Sequence, residues 1–119
     1  VMSLAMYLSS EYKRQHLSTS TTLIDQIMEY IESRSASVTL NDIASHFGYH
    51  PVYVSRLLPK KTGKTFSALL AESRMRKAKL LLDHTDLSIE KIADMLGYSN
   101  SSNFYKAFKQ YYGTSPRQL

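Results

Sequence analysis

The chain contains no cysteine, which excludes a disulfide scaffold, a thiolate metal site and a cysteine nucleophile. Glycine and proline are scarce, four and three in 119 residues, and alternating strand patterns are nearly missing. No apolar run approaches the roughly 18 residues that a membrane span needs, so no membrane partner is expected. The four histidines, His16, His46, His50 and His84, are scattered without a close ligand pair. No metal or other cofactor is expected. No basic-then-apolar leader opens the chain, so the cytoplasm is the expected location. Asn100-Ser101-Ser102 matches a glycosylation acceptor, which reads as chance without such a leader.

What is present suits one ordinary domain or two very small ones: 43% hydrophobic and 21% charged residues in 13.6 kDa. Val1 ahead of Met2 reads as a fragment of something longer or as a cloning remnant. The net charge is +5, and its distribution says more than its total. Residues 1–55 balance to −2 and residues 80–119 to zero, whereas residues 56–79 carry eight basic side chains and one acidic one. A basic middle third invites a nucleic acid or another anionic surface. A solvated helix face is the plainer alternative.

Helical periodicity dominates. Residues 1–22 read as a short helix or the tail of an interdomain linker, ending in the polar tract Ser18 to Thr22. Leu23, Ile24, Ile27, Met28 and Ile31 then form one stripe. Thr39 is a plausible N-cap with Asp42 three residues on, and Leu40, Ile43, Ala44 and Phe47 follow, closed by Gly48. A helix from Pro51 runs toward Lys61, with proline suited to the first turn, and Gly63 ends that region. A longer helix spans about Ser67 to Leu82, with Leu69, Leu70, Met75, Ala78, Leu81 and Leu82 apolar. Ser88 caps the next stripe, Ile89, Ile92, Ala93 and Leu96, closed by Gly97. A last helix covers about Asn100 to Tyr112 and stops at Gly113.

An internal repeat is the most informative feature. Leu40, Ile43, Ala44, Phe47, Gly48 and Tyr49 recur 49 residues later as Ile89, Ile92, Ala93, Leu96, Gly97 and Tyr98. After one inserted residue the offset is 50, and Val54, Arg56, Leu58 and Gly63 match Phe104, Lys106, Phe108 and Gly113. Each copy has the form of a helix-turn-helix: a short helix, a glycine turn, then a second helix. Ala44 and Ala93 are small where two helices must cross, and Gly48 and Gly97 suit a positive φ. The expected architecture is all-α, with homeodomain-like helix-turn-helix subdomains at residues 23–66 and 83–119 and a linking helix at 67–82.

The second helix of each copy needs an apolar docking face and a polar face for a major groove. Val54, Leu57 and Leu58 are expected inward, leaving Val52, Ser55 and Arg56 outward. Phe104, Ala107 and Phe108 are expected inward, leaving Ser101, Ser102, Tyr105 and Lys106 outward. Arg56 and Lys106 occupy equivalent places, each suited to a guanine edge or a phosphate. Serine and tyrosine hydroxyls can bond either, and Val52 offers only apolar contact.

These residues resemble the DNA-binding domain of the AraC/XylS family of bacterial transcription regulators. The second copy carries most of the resemblance: Ile89-Glu90-Lys91-Ile92-Ala93, Gly97-Tyr98, Phe104, Phe108-Lys109, Gly113 and Ser115-Pro116. The first adds Leu40, Ile43-Ala44, Ser55-Arg56 and Thr62-Gly63-Lys64, and the joining helix adds Arg74, Ala78 and Leu80-Leu81. The match covers roughly residues 23–119. It implies two recognition helices in adjacent major grooves of double-stranded DNA, reading bases from Val52, Ser55, Arg56, Ser101, Ser102, Tyr105 and Lys106. A linking helix of about 16 residues is about 24 Å long. With the width of the flanking units it approaches the roughly 34 Å between successive grooves.

Phosphate contacts are expected from Lys60, Lys61, Lys64 and Lys109, with about six in all making binding fall steeply with salt. Arg74 is expected to pack against neighbouring elements, as in the family. Arg76, Lys77 and Lys79 can face phosphate or water. Two departures from the family pattern stand out. Leu58-Pro59 replaces the usual Phe-Lys pair, and an interior proline costs about 3 kcal/mol, so the first recognition helix is expected to kink or end near Leu58. Val52 replaces a large or polar residue, which thins base readout by the first unit.

No catalytic residues are expected. Gly63-Lys64-Thr65 lacks the glycine five residues earlier that a phosphate-binding loop needs, and Lys61-Thr62-Gly63 with Ser88-Ile89-Glu90-Lys91 reverses the β-lactamase order. A repair methyltransferase of this fold needs an acceptor cysteine. The reading is a non-enzymatic, nucleoid-associated regulator, an activator by expectation. The resemblance also implies RNA polymerase as a further candidate partner, and an upstream domain that senses a small molecule or a phosphorylation. The alternative is a helical protein-interaction module whose basic region and Tyr98, Tyr105, Tyr111 and Tyr112 meet an acidic partner. In that reading Tyr111 and Tyr112 can instead be core.

Overall fold

The computed structural model describes residues 22–116, and six helices occupy most of them. They are α1 (Leu23–Ser33), α2 (Leu40–Phe47), α3 (Pro51–Thr62), α4 (Phe66–His84), α5 (Ile89–Leu96) and α6 (Ser101–Tyr112). No strand occurs among the described residues. Apart from Thr22, the expected linker tail lies outside them.

Each helix begins where a side chain satisfies its first free N–H groups. Thr39 and Asp42 form a complete capping box on α2: the Asp42 amide donates to Thr39 Oγ1 at 3.0 Å and the Thr39 amide to Asp42 Oδ2 at 2.9 Å. Thr22 and Asp25 do the same for α1. Thr65, Ser88 and Asn100 cap α4, α5 and α6, and His50 Nδ1 accepts from the Val52 amide ahead of α3. The glycine stops fall where expected, with Gly48 and Gly97 in the left-handed region at φ 80° and 97°.

Two separate cores result. Ile27, Ile31, Val38, Ile43, Ala44, Val54, Leu58 and Leu69 build the first; Met75, Ala78, Ile92, Ala93, Leu96, Phe104 and Phe108 build the second. The linking helix α4 contributes to both, Leu69 to one and Met75 and Ala78 to the other. At about 100° per residue, Ala78 lies about 180° around the helix from Leu69. The two units therefore sit on opposite faces of α4. Tyr112 settles in the second core, its hydroxyl donating to the Met75 carbonyl at 3.0 Å, whereas Tyr111 is exposed.

One arm of the expectation for Pro59, that the helix ends there, fails. The helix does not end near Leu58: α3 continues through Pro59 to Thr62, and the Gly63 amide donates to the Pro59 carbonyl at 2.8 Å. Proline removes one hydrogen bond, but packing ahead of it and a side-chain hydrogen bond spanning it hold the helix. Val54 and Leu58 are completely buried, and Thr62 Oγ1 donates to the Leu58 carbonyl at 2.7 Å. Tertiary contacts outweigh the local penalty.

Candidate nucleic-acid interface

Because Val54 and Leu58 anchor α3 in the first core, the opposite side of the helix is left to solvent. Val52, Arg56 and Lys60 are exposed there, four residues apart and therefore in one row. The same logic operates in α6, where Phe104 and Phe108 are buried and Ser102, Lys106 and Gln110 are exposed. The repeat offset of 50 maps one row onto the other, Val52 to Ser102, Arg56 to Lys106 and Lys60 to Gln110. Leu57 and Ala107 are only half-buried, at the edges of the docking faces.

The remaining sites divide by what already holds them. Ser55 is half-buried and its hydroxyl donates to the Val52 carbonyl at 2.9 Å. Ser101 and Tyr105 are half-buried, with the Tyr105 ring 6.4 Å from that of Phe104. Lys61 and Lys109 are exposed. Lys64 is exposed too, but its ammonium forms an ion pair with Glu72.

The basic segment proves to be two things. Arg56, Lys60 and Lys61 have no hydrogen-bond or ion-pair partner among the described residues, and with Tyr53 and Leu57 they line a shallow concavity beside α3. Further along, the cations are engaged internally. Arg74 Nε donates to the Ser35 carbonyl at 2.8 Å and Nη2 to the Ala36 carbonyl at 3.3 Å, in keeping with its expected packing role. Arg76, Lys77 and Lys79 each have an internal partner, although the Arg76 and Lys79 side chains stay partly open to solvent. Arg76 pairs with Glu32 at 2.6 Å, Lys79 with Asp83 at 2.8 Å, and Lys77 donates to the Glu32 carbonyl and to Ser35 Oγ, the latter at 2.8 Å.

Glu32 is the hub of this arrangement. Partial burial works against its carboxylate, but the Ser73 hydroxyl at 2.8 Å, Arg76 and Lys77 together hold its pKa below the ordinary value. Burial pushes the Tyr98 phenol up, partly offset by Arg74.

Two exposed features lie outside the site residues expected from the sequence. Tyr49 and Tyr53 stack on each other with ring centroids 4.9 Å apart, both more than 40% exposed, at the start of α3. Their four-residue spacing was the available signal. Gln110 extends the α6 row, and the repeat offset from Lys60 points to it. Among the described residues no group of three metal-ligating side chains occurs, and no helix is long and apolar enough to cross a membrane.

Two short helices meeting at a glycine turn, repeated and carried on opposite faces of one linking helix, define a double helix-turn-helix DNA-binding domain. A helix-turn-helix domain family model matches residues 43–119. The Msm operon regulatory protein of Streptococcus mutans is 32% identical over 117 residues, 94% of this chain and 42% of the relative. The transcriptional activator AarP of Providencia stuartii is 30% identical over 106 residues, 88% of this chain and 78% of the relative. Among solved structures, the C-terminal domain of the response regulator AraT from Geobacillus stearothermophilus superposes with a TM-score of 0.76 at 37% identity, covering 81% of each chain. The chain belongs to the AraC/XylS family of transcription regulators and carries its DNA-binding domain. It spans less than half the length of the S. mutans relative.

Proposed function

We propose that this domain reads two successive major grooves on one face of duplex DNA, with α3 in one groove and α6 in the next. The observation that carries this reading is the pair of matching exposed rows, Val52-Arg56-Lys60 and Ser102-Lys106-Gln110. The linking helix has 19 residues, about 28 Å, which with the width of its flanking units approaches the roughly 34 Å between grooves.

Arg56 and Lys106 are the principal base readers, with Ser102 beside Lys106 and apolar contact from Val52. Ser55, Ser101 and Tyr105 lie at the margins of these faces and assist. Lys60, Lys61 and Lys109 bind phosphate, and Lys64 contributes less because Glu72 competes for it. The units are residues 23–66 and 83–119, joined by 67–82.

The family and the name of AarP support transcriptional activation, with RNA polymerase as a protein partner. AraT is a response regulator, which supports a phosphorylation signal, or a small molecule in its place, received by another part of the protein. Such a regulator works in the cytoplasm on the nucleoid.

Selection of binding sites from a random duplex library at about 0.15 M salt tests the reading, with the double variant Arg56→Ala/Lys106→Ala alongside. The expected result is a site with two informative blocks about one helical turn apart, lost in the double variant. Weak binding without enrichment, equal for both proteins, refutes it.

A further inference from the structure

The two glycine turns are repeat mates with the same left-handed backbone, yet their surroundings differ. No atom stands within 4 Å of where a Cβ would lie on Gly48. At Gly97 that Cβ would lie 2.1 Å from the Ala36 carbonyl oxygen and 2.9 Å from Arg74 Nη2. Ala36 belongs to the α1–α2 connection of the first unit, and Gly97 to the turn of the second. Only a residue without a side chain lets these backbones meet.

Arg74, near the middle of α4, joins the contact. It donates to the Ser35 and Ala36 carbonyls, and its guanidinium lies over the Tyr98 ring, 5.0 Å from the centroid. Tyr98 is half-buried, whereas its repeat mate Tyr49 stands exposed and stacked on Tyr53. Ser35 is a polar residue left 2% exposed, and Lys77 donates to its hydroxyl. The first unit's connection is thus clamped between the linking helix and the second unit's turn.

We propose that this joint of Ala36, Arg74 and Gly97 fixes the angle between the two recognition helices and so sets the spacing between DNA blocks that the domain accepts. Spacing is then specified by residues that touch no DNA. Helix α4 itself meets the two units on opposite faces, Leu69 in one core and Met75 and Ala78 in the other. The joint adds a direct unit-to-unit contact off the helix axis. This inference rests on the two-groove reading.

Gly48→Ala and Gly97→Ala form a matched pair: both carry the same backbone cost, and only the second displaces the Ala36 carbonyl. Arg74→Met, which keeps the stem and removes the donors, serves where Gly97→Ala does not fold; circular dichroism establishes which variants do. Two readouts are used on the 119-residue chain. The first is affinity for the selected two-block site with its spacer lengthened or shortened one base pair at a time. The second needs no DNA: since the chain lacks cysteine, Asn41→Cys and Glu90→Cys, at exposed repeat-equivalent positions, accept one spin label each.

In wild type and Gly48→Ala, one spacer is preferred and the label distance is narrow. In Gly97→Ala or Arg74→Met the distance broadens, and the preference for that spacer over its neighbours falls about tenfold, while affinity for one block alone is unchanged. A label distance as narrow as wild type in both joint variants overturns the proposal. So does a broadened distance with an unaltered spacer profile. A wild type that selects one block only overturns the two-groove reading itself, and the spacing claim with it.

Discussion

Replacing Lys60 and Lys64 one at a time by alanine separates the two kinds of cation in the basic segment. Each phosphate neutralised on duplex DNA adds about −0.9 to the slope of log affinity against log salt. Lys60, Lys61 and Lys109 have no ion-pair partner among the described residues, which gives about −2.7 from those three, and about −4.5 if Arg56 and Lys106 also displace counterions. Between about 50 and 200 mM salt, those slopes correspond to about 40-fold and about 500-fold losses of affinity. Lys64 differs because it must first leave Glu72. Releasing one counterion at about 0.15 M salt yields about 1 kcal/mol, and a partly exposed ion pair is worth about 0.2–1 kcal/mol. At the upper end of that range the two cancel. Lys60→Ala should therefore flatten the slope by about 0.9 and Lys64→Ala by less, down to about half as much. Glu72→Gln, which frees Lys64, should steepen it. Fluorescence anisotropy titrations of one labelled duplex across a salt series measure all three. The differences between variants carry the test, because a total slope also includes charges beyond the described residues. If Lys64→Ala flattens the slope as much as Lys60→Ala while Glu72→Gln leaves it unchanged, the internal ion pair does not restrain Lys64 and the reasoning fails.

Pro59→Ala restores the N–H facing the Ser55 carbonyl one turn back, in a helix that already continues to Thr62. It should stabilise the protein by about 1–3 kcal/mol without changing the selected DNA site; a lowered Tm in thermal unfolding would contradict the account given of α3. Phe104 is completely buried against Phe108 and Tyr98 in the second core, so Phe104→Ala should cost about 3–5 kcal/mol. Hydrogen exchange should then lose protection in α5 and α6 before α2 and α3, and uniform loss would show that the two cores unfold as one. Glu32 has a lowered folded-state pKa, so its stabilising contribution is complete above the ordinary value of 4.5 and disappears as the pH falls through the folded value. Urea midpoints of wild type and Glu32→Gln should accordingly differ near neutrality and converge in acid; a constant gap across that range would remove Glu32 from the explanation.

The parts of this molecule that were legible in its sequence are those written within one helical turn. Thr39 with Asp42, Ser88, and the glycines after Phe47 and Leu96 announce their helices because cap and stop act over three or four residues. The repeat extends that local information to a second copy, which is why Arg56 and Lys106 can be paired from their spacing alone. Their exposure then follows from the burial of Val54, Leu58, Phe104 and Phe108 two residues to either side, on the opposite face of each helix. Pro59 shows the limit of the local rule: its penalty is real, but the anchoring of Leu58 in the core decides the outcome.

What was not legible depends on residues far apart in the chain. Helix α4 changes its buried face between Leu69 and Ala78, so a search for one apolar stripe finds none that explains both cores. Arg74, Arg76 and Lys77 are held by Glu32, Ser35 and Ala36, roughly forty residues away, whereas Lys79 and Lys64 find acidic partners four and eight residues on. A run of positive charge in a sequence is therefore a count of candidates, and folding subtracts those that find an internal acceptor. Here the subtraction is directional. It gives Arg74, Arg76, Lys77 and Lys79 on the linking helix internal partners and leaves Arg56, Lys60 and Lys61 on the recognition helix without one among the described residues. Gly48 and Gly97 make the same point in reverse, since the repeat predicts identical roles for them and the first unit's Ala36 carbonyl makes them different. In a duplicated domain the positions where equivalent residues acquire unequal neighbours are where the two copies meet, and that is where the relation between the copies is determined.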